Sequence, residues 1–295
     1  MQYKLFGKKY PVEGILMLLP ILLLYGIVII YPLFNMVYTS FFEWSGIVSV
    51  PYKFVGLDNY IAFFTDFYTM TAFKNILILI VTGVIFTIPI SFFLATVINK
   101  KFFGLRAVKT FYFLPVVINR VAIGLMFTFI FFPQTGPFPV ILSMLGIANN
   151  VNILGNINTA MWGVAFVNTW NDAGFQMIIF SSGMASIPDD IYEAAEIDGV
   201  TPWQKLIYIT LPMMKSTFKI VLVFILTGAF KVFDLIMALT SGGPGSATQV
   251  PSTLLYKNAF TFSKFGYADS IAVLTVVLCL LITYMINHFF RTKSA

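Results

Sequence analysis

Four ionisable side chains stand inside long apolar runs of this sequence: Arg120, Asp172, Lys231 and Asp234. A charge in lipid is costly, so each marks either a function or an internal pair. Lys231 and Asp234 are three residues apart, a spacing that lets them pair on one helix. Arg120 and Asp172 admit two readings. They pair across helices, or they line a polar passage in which the guanidinium fork would suit a carboxylate. A second concentration of charge lies at 187–212, IPDDIYEAAEIDGVTPWQKLIYITLP, where Asp189, Asp190, Glu193, Glu196, Asp198 and Lys205 sit between two apolar runs. This stretch must leave the bilayer. Other chemistry is poorly provided for: Cys279 and His288 are each single, so no intramolecular disulfide, thiol metal site or nucleophile–base pair can be assembled from them. No GxxxxGK[ST] phosphate loop occurs either.

The elements that position these residues follow from composition. Of 295 residues 59% are hydrophobic and 10% charged, with mean hydropathy +0.89, whereas soluble domains carry about 25% charged residues. The chain reads as an all-α integral membrane protein. Apolar windows near the ~20 residues needed to cross fall at 15–38, 75–98, 111–132, 160–182, 218–239 and 271–290, and three of them carry no charge. That gives six transmembrane helices. Lys4, Lys8, Lys9, Lys100, Lys101, Arg106, Lys109, Lys205, Lys215, Lys219, Arg291 and Lys293 fall on one side, against Lys53, Lys74, Lys257 and Lys264 on the other. The positive-inside rule then places both the N and C termini and the charged stretch in the cytoplasm. It also explains the net charge of +6 without a nucleic-acid partner.

The expected organisation is a cytoplasmic N-terminus at 1–14 and a first helix at 15–39, too long for a signal-peptide core. An external loop follows at 40–73, where Trp44, Tyr52, Tyr60 and Tyr68 suit the headgroup region. A core of five transmembrane helices occupies 74–290, with a cytoplasmic loop at 186–212, and a tail ends the chain at 291–295. The loop at 133–156 carries no charge and is punctuated by Gly and Pro, as turns are.

Within the charged stretch, Ser186 is placed to cap a helix with Pro188 in its first turn and Asp189 and Asp190 at the positive end of its dipole. Gly199 should end that helix in the left-handed conformation. Thr201, Pro202 and Gln204 then read as N-cap, first helical proline and capping-box partner. Ala194 and Ala195 allow another surface to approach closely, and Glu193 and Asp198 offer charge to a basic partner. The bland reading is an amphipathic helix lying on the membrane. Such helices normally present a basic face, and this one is acidic, which favours a protein partner.

Glu193-Ala194-Ala195, Asp198-Gly199, Ile209 and Leu211-Pro212 resemble the EAA loop of membrane subunits of binding-protein-dependent ABC importers. Ile187-Pro188, the run Leu239-Thr240-Ser241-Gly242-Gly243-Pro244, and Gly266-Tyr267-Ala268 resemble its carbohydrate-uptake branch. Val200 and Ser216 depart from the family pattern, where Ala and Pro are usual. The resemblance implies a type I ABC importer permease fold that pairs with a second permease subunit as a heterodimer around one path. It further implies an extracellular sugar-binding protein and two ATPase subunits carrying ATP and Mg, with no cofactor on this chain. Glu193, Ala194, Ala195, Asp198, Gly199, Leu211 and Pro212 would then dock into an ATPase.

The same resemblance, carried over by spacing, puts the sugar path near Val116, Arg120, Asn171, Asp172, Phe175, Gly228, Ala229 and Val232. Arg120 there implies an acidic saccharide. Phe175 and Trp170 have a bland reading as lipid-facing or packing rings, and Gly228 and Ala229 as close-packing residues. The competing classes are a secondary transporter or channel, for which Asp172 is the sole support, and an intramembrane enzyme, for which residues are lacking.

Overall fold

The computed structural model describes residues 2–5, 8–47, 49–99, 103–147 and 151–290. The tail 291–295, with Arg291 and Lys293, and the pair Lys100 and Lys101 lie outside the described residues. The described chain is mostly helical and divides into two units, Met1–Phe64 with Leu255–Leu274, and Thr65–Leu254 with Thr275–Ala295.

The first unit begins with a departure from the all-α expectation, an antiparallel ribbon of β1 (Gln2–Leu5) and β2 (Lys8–Pro11). Helices α1 (Val12–Tyr25) and α2 (Tyr31–Thr39), joined by one π-helical stretch at Gly26–Ile30, make the first apolar rod. The span Leu16–Thr39 buries none of its hydrophobic window within the chain. The loop at 40–73 folds as a small aromatic cluster. Strands β3 (Phe42–Glu43) and β4 (Lys53–Phe54) pair, and α3 (Asp58–Thr65) follows them as a short helix. Trp44 stacks on Tyr52 at 5.0 Å and packs against Phe265, while Asn59 Nδ2 donates to the carbonyls of Ser40 (2.8 Å) and Phe42 (3.0 Å). Thr39 Oγ1 donates to Asp269.

The second unit is built around α9 (Ala160–Ala185), whose 26 residues reach about 39 Å at the 1.5 Å rise of a helix. Helices α4 (Phe67–Thr82) and α5 (Ile88–Ile98), joined by a π turn, form one rod of 32 residues. It starts eight residues before the expected 75, because Asp66 caps it through Thr69 N–H at 3.0 Å and the helix tolerates Lys74 near its end. Where one span was expected at 111–132, the chain makes α6 (Leu105–Val117) and α7 (Arg120–Ile130), bent by 102°. The cause is local: Asn119 Oδ1 accepts from Val121 N–H at 2.8 Å and starts a new helix, which an apolar window cannot register. The uncharged loop is not all turns, since α8 (Pro137–Met144) opens on Pro137 at its first position.

The expected span at 218–239 is also two helices, α13 (Lys215–Lys231) and α14 (Asp234–Leu239). Val232 (ψ 112°) and Phe233 (φ −131°) leave the helical region between them. The expected pairing of Lys231 with Asp234 therefore fails: they are not on one helix, and no ion pair forms between them. Helices α15 (Pro251–Tyr256) and α16 (Phe265–Phe289) close the chain.

Two apolar cores hold the second unit. One joins α4, α7, α9 and α14 through Ile76, Ile123, Val164, Val167 and Ile236. The other joins α5, α9 and α13 through Leu94, Met177, Phe180 and Val221, and it includes Ile187 from the charged stretch. Gly174 shows how closely α9 meets α6, since a Cβ there would lie 2.0 Å from the Tyr112 carbonyl oxygen. Among the described residues three helices are long and apolar enough to cross a membrane, or five if each bent pair is one span.

Candidate functional site

The charged stretch folds as a hairpin of two helices. α10 (Asp189–Ile197) has Pro188 at its N-cap with no side-chain cap. Ser186 does not cap it, contrary to expectation: its hydroxyl donates back to the Gly183 carbonyl at 2.7 Å and closes α9 instead. The C-terminal joint is as expected. Gly199 has φ +70°, Val200 N–H donates to Ala195 O (3.0 Å) and Gly199 N–H to Glu196 O (3.1 Å), the paired bonds of a Schellman ending. α11 (Pro202–Lys205) follows, with Thr201 and Gln204 forming the expected capping box. A π turn at Leu206–Thr210 and α12 (Leu211–Met213) carry the chain to α13 across a 68° bend.

Glu193, Ala194, Asp198, Gly199 and Pro212 are exposed, Leu211 is half-buried, and Ala195 is buried. The close-approach surface is thus Ala194 rather than Ala195, which is used inside the hairpin. Sequence reasoning missed the braces across the hairpin. Lys205 Nζ donates to Glu196 Oε1 at 2.6 Å and lies 5.4 Å from the Tyr192 ring centre, and Tyr192 OH meets Thr210 Oγ1 at 3.1 Å. The Lys205 hydrogen bond holds the Glu196 carboxyl below its ordinary range. Their spacing of nine and eighteen residues carries no periodic signal.

Two of the four charges in the apolar runs, Arg120 and Asp172, meet as a pair. Arg120 Nη2 donates to Asp172 Oδ1 at 2.8 Å, with the side chains 38% and 23% exposed. Asn168 Nδ2 donates to the other carboxylate oxygen at 3.1 Å; its i, i+4 spacing to Asp172 was the available signal. Arg120 opens α7 at the bend and Asp172 lies midway along α9, so the break at Asn119 is what delivers the guanidinium. One of five guanidinium donors is engaged by Asp172, and the pair retains an open side.

The other expected path residues divide. Val116 is half-buried, Phe175 is exposed with its ring 5.3 Å from Phe224 in an edge arrangement, and a Cβ on Gly228 would meet nothing within 4 Å. Gly228 is therefore open rather than close-packed. Ala229 and Val232 are buried in the first core. Asn171 is buried as well, and its Nδ2 donates to the Pro115 carbonyl at 2.8 Å, where α6 nears its end.

The family profile for "Binding-protein-dependent transport system inner membrane component" matches residues 88–294. The chain belongs to this family. It is 37% identical over 264 residues to the probable ABC transporter permease protein YurN of Bacillus subtilis (strain 168), covering 88% of this chain and 90% of that protein. Among solved structures it resembles a bacterial ABC transporter involved in the import of the acidic polysaccharide alginate, with TM-score 0.83, 27% identity and 96% of each chain covered. A bacterial alginate ABC transporter in complex with an alginate pentasaccharide-bound periplasmic protein matches at TM-score 0.82 and 27% identity, over 95% of this chain and 94% of that one. The protein is thus a multi-pass inner-membrane permease subunit of an ABC importer, with the type I importer permease fold. Family membership removes the secondary-transporter and intramembrane-enzyme readings.

Proposed function

We propose that this permease is one half of a heterodimeric, ATP-driven saccharide importer, with six spans and both termini in the cytoplasm. Three unbroken apolar helices, the bent pair α6 and α7, α13 and the more polar α9 add up to six in support. On this reading 1–14 and 291–295 are cytoplasmic, the first helix is 15–39, the loop 40–73 is external, and the core 74–290 includes the cytoplasmic loop 186–212. The partners are a second permease subunit, two ATPase subunits that carry ATP and Mg, and an extracellular binding protein that delivers the cargo. This chain holds no cofactor.

The observation that carries the reading is the braced hairpin. Glu193, Ala194 and Asp198 form an exposed acidic face on a helix closed at Gly199, while Ile187 beneath it is fixed in the core of α5, α9 and α13. A push on that face would reach the spans through Ile187 at one end and Leu211-Pro212 at the other. The test is co-purification: wild type should retain its co-expressed ATPase subunit, and Glu193→Lys should lose it while still inserting. Full retention and full uptake by Glu193→Lys would refute the docking role.

The path for cargo runs past Val116, Arg120, Asp172, Phe175 and Gly228, with Asn171, Ala229 and Val232 forming its wall. An acidic saccharide suits Arg120, and the similarity to an alginate importer supports that class. In uptake competition an acidic oligosaccharide should outcompete a neutral one of equal length, and Arg120→Gln should remove the preference. Equal uptake of both by wild type would sink the acidic reading and leave the importer reading standing.

A further inference from the structure

Helices α5, α6 and α9 leave between them a groove of about 490 Å³ that neither the hairpin nor the Arg120 site uses. Its walls are apolar: Ile98, Phe113, Leu114, Val117 and Ile178 supply most of the lining. Three polar side chains join them, and two are already occupied. Thr110 donates its hydroxyl proton to the Arg106 carbonyl at 3.0 Å and Ser181 to Asn99 Oδ1 at 2.8 Å. The third is Lys109, which makes no ion pair among the described residues. The sequence offers it no nearby counter-charge, since no Asp or Glu occurs between Asp66 and Asp172. Lys109 and Val117 lie eight residues apart on α6, about 12 Å along the axis, close to the ~15 Å hydrocarbon depth of one leaflet.

A saccharide needs donors and acceptors to replace its water, and this lining has one free polar group. An amphiphile with a single anionic head and an apolar tail needs what the groove has: a cation at one end and a dry track beyond it. We infer that the groove is a binding site for an anionic phospholipid, its phosphate held by Lys109 and one acyl chain laid along Leu114, Val117 and Ile178. A zwitterionic lipid would present its own cation to Lys109 and bind less well.

Native mass spectrometry of the complete importer, exchanged into nanodiscs of phosphatidylcholine with or without phosphatidylglycerol, tests this. Wild type should retain phosphatidylglycerol over phosphatidylcholine. Lys109→Gln should lower that preference about fivefold, the factor a single lysine contributes at an anionic surface. Arg106→Gln, outside the lining, should keep it. Val117→Phe, at a position 70% exposed where bulk does not threaten folding, should displace the lipid. Wild-type retention in both Lys109→Gln and Val117→Phe would overturn the proposal, and so would a photo-crosslinker at Val117 that reacts with the second permease subunit instead of lipid.

Discussion

Gly199 allows the proposed force-transmitting role of the hairpin to be tested apart from local strain. Its φ of +70° closes α10, and a Cβ added there would meet nothing within 4 Å. A side chain at this position therefore costs only the conformational penalty of the left-handed region, about 1–2 kcal/mol for an ordinary L-residue and more for a β-branched one. A cost of that size shifts the balance between closed and frayed helix ends about 5- to 30-fold. Gly104 supplies the control, with φ +88° and again nothing within 4 Å of an added Cβ, but at the start of α6 rather than in the hairpin. Uptake and cargo-stimulated ATP hydrolysis should fall in the order Gly199, Gly199→Ala, Gly199→Val in proteoliposomes holding the whole importer. Gly199→Asn should be mild, because Asn tolerates this conformation. Gly104→Ala carries the same strain and should leave the coupling ratio, cargo moved per ATP, unchanged. If Gly199→Ala and Gly104→Ala lower that ratio equally, or neither Gly199→Ala nor Gly199→Val lowers it, the hairpin does not transmit work as a closed unit.

Four further outcomes are expected. Lys205→Met should lower the coupling ratio, and exchanging the charges with Glu196→Lys plus Lys205→Glu should restore it; failure of the exchange to restore any coupling would show that the brace is incidental. The Glu196 carboxyl is held below its ordinary value by Lys205, so the brace contributes fully above that ordinary value and is lost only as pH falls below it through the lowered one; coupling should be flat across the neutral range. Asn171→Leu leaves the Pro115 carbonyl buried without its donor, a loss of about 1–3 kcal/mol, and should lower the Tm in detergent with wild-type assembly at low temperature. Gly174→Ala puts a Cβ 2.0 Å from the Tyr112 carbonyl oxygen; backbone cannot yield as a flexible side chain does, so the purified subunit should be markedly destabilised, and a wild-type Tm would show that α6 can retreat.

The membrane class and the joints of the hairpin were legible in the sequence, because each depends on local chemistry. Long apolar windows must be satisfied by helices in lipid, a left-handed joint selects Gly199, and a capping box selects Thr201 with Gln204. Breaks were not legible where a single side chain makes them. Asn119 splits one apolar run into α6 and α7, and Val232 with Phe233 separates Lys231 from Asp234, since hydropathy sums over a window and a cap acts at one residue. Nor does the sequence rank partners for a buried polar group. Asn171 and Asp172 are neighbours with the same apparent prospects, yet their side chains leave α9 about 100° apart, so Asn171 meets the Pro115 carbonyl while Asp172 meets Arg120. Residue types and spacing determined which groups had to be paired or exposed. The packing of α6, α7 and α13 around α9 decided which pairs formed, because partners far apart in the chain are chosen by where helices cross.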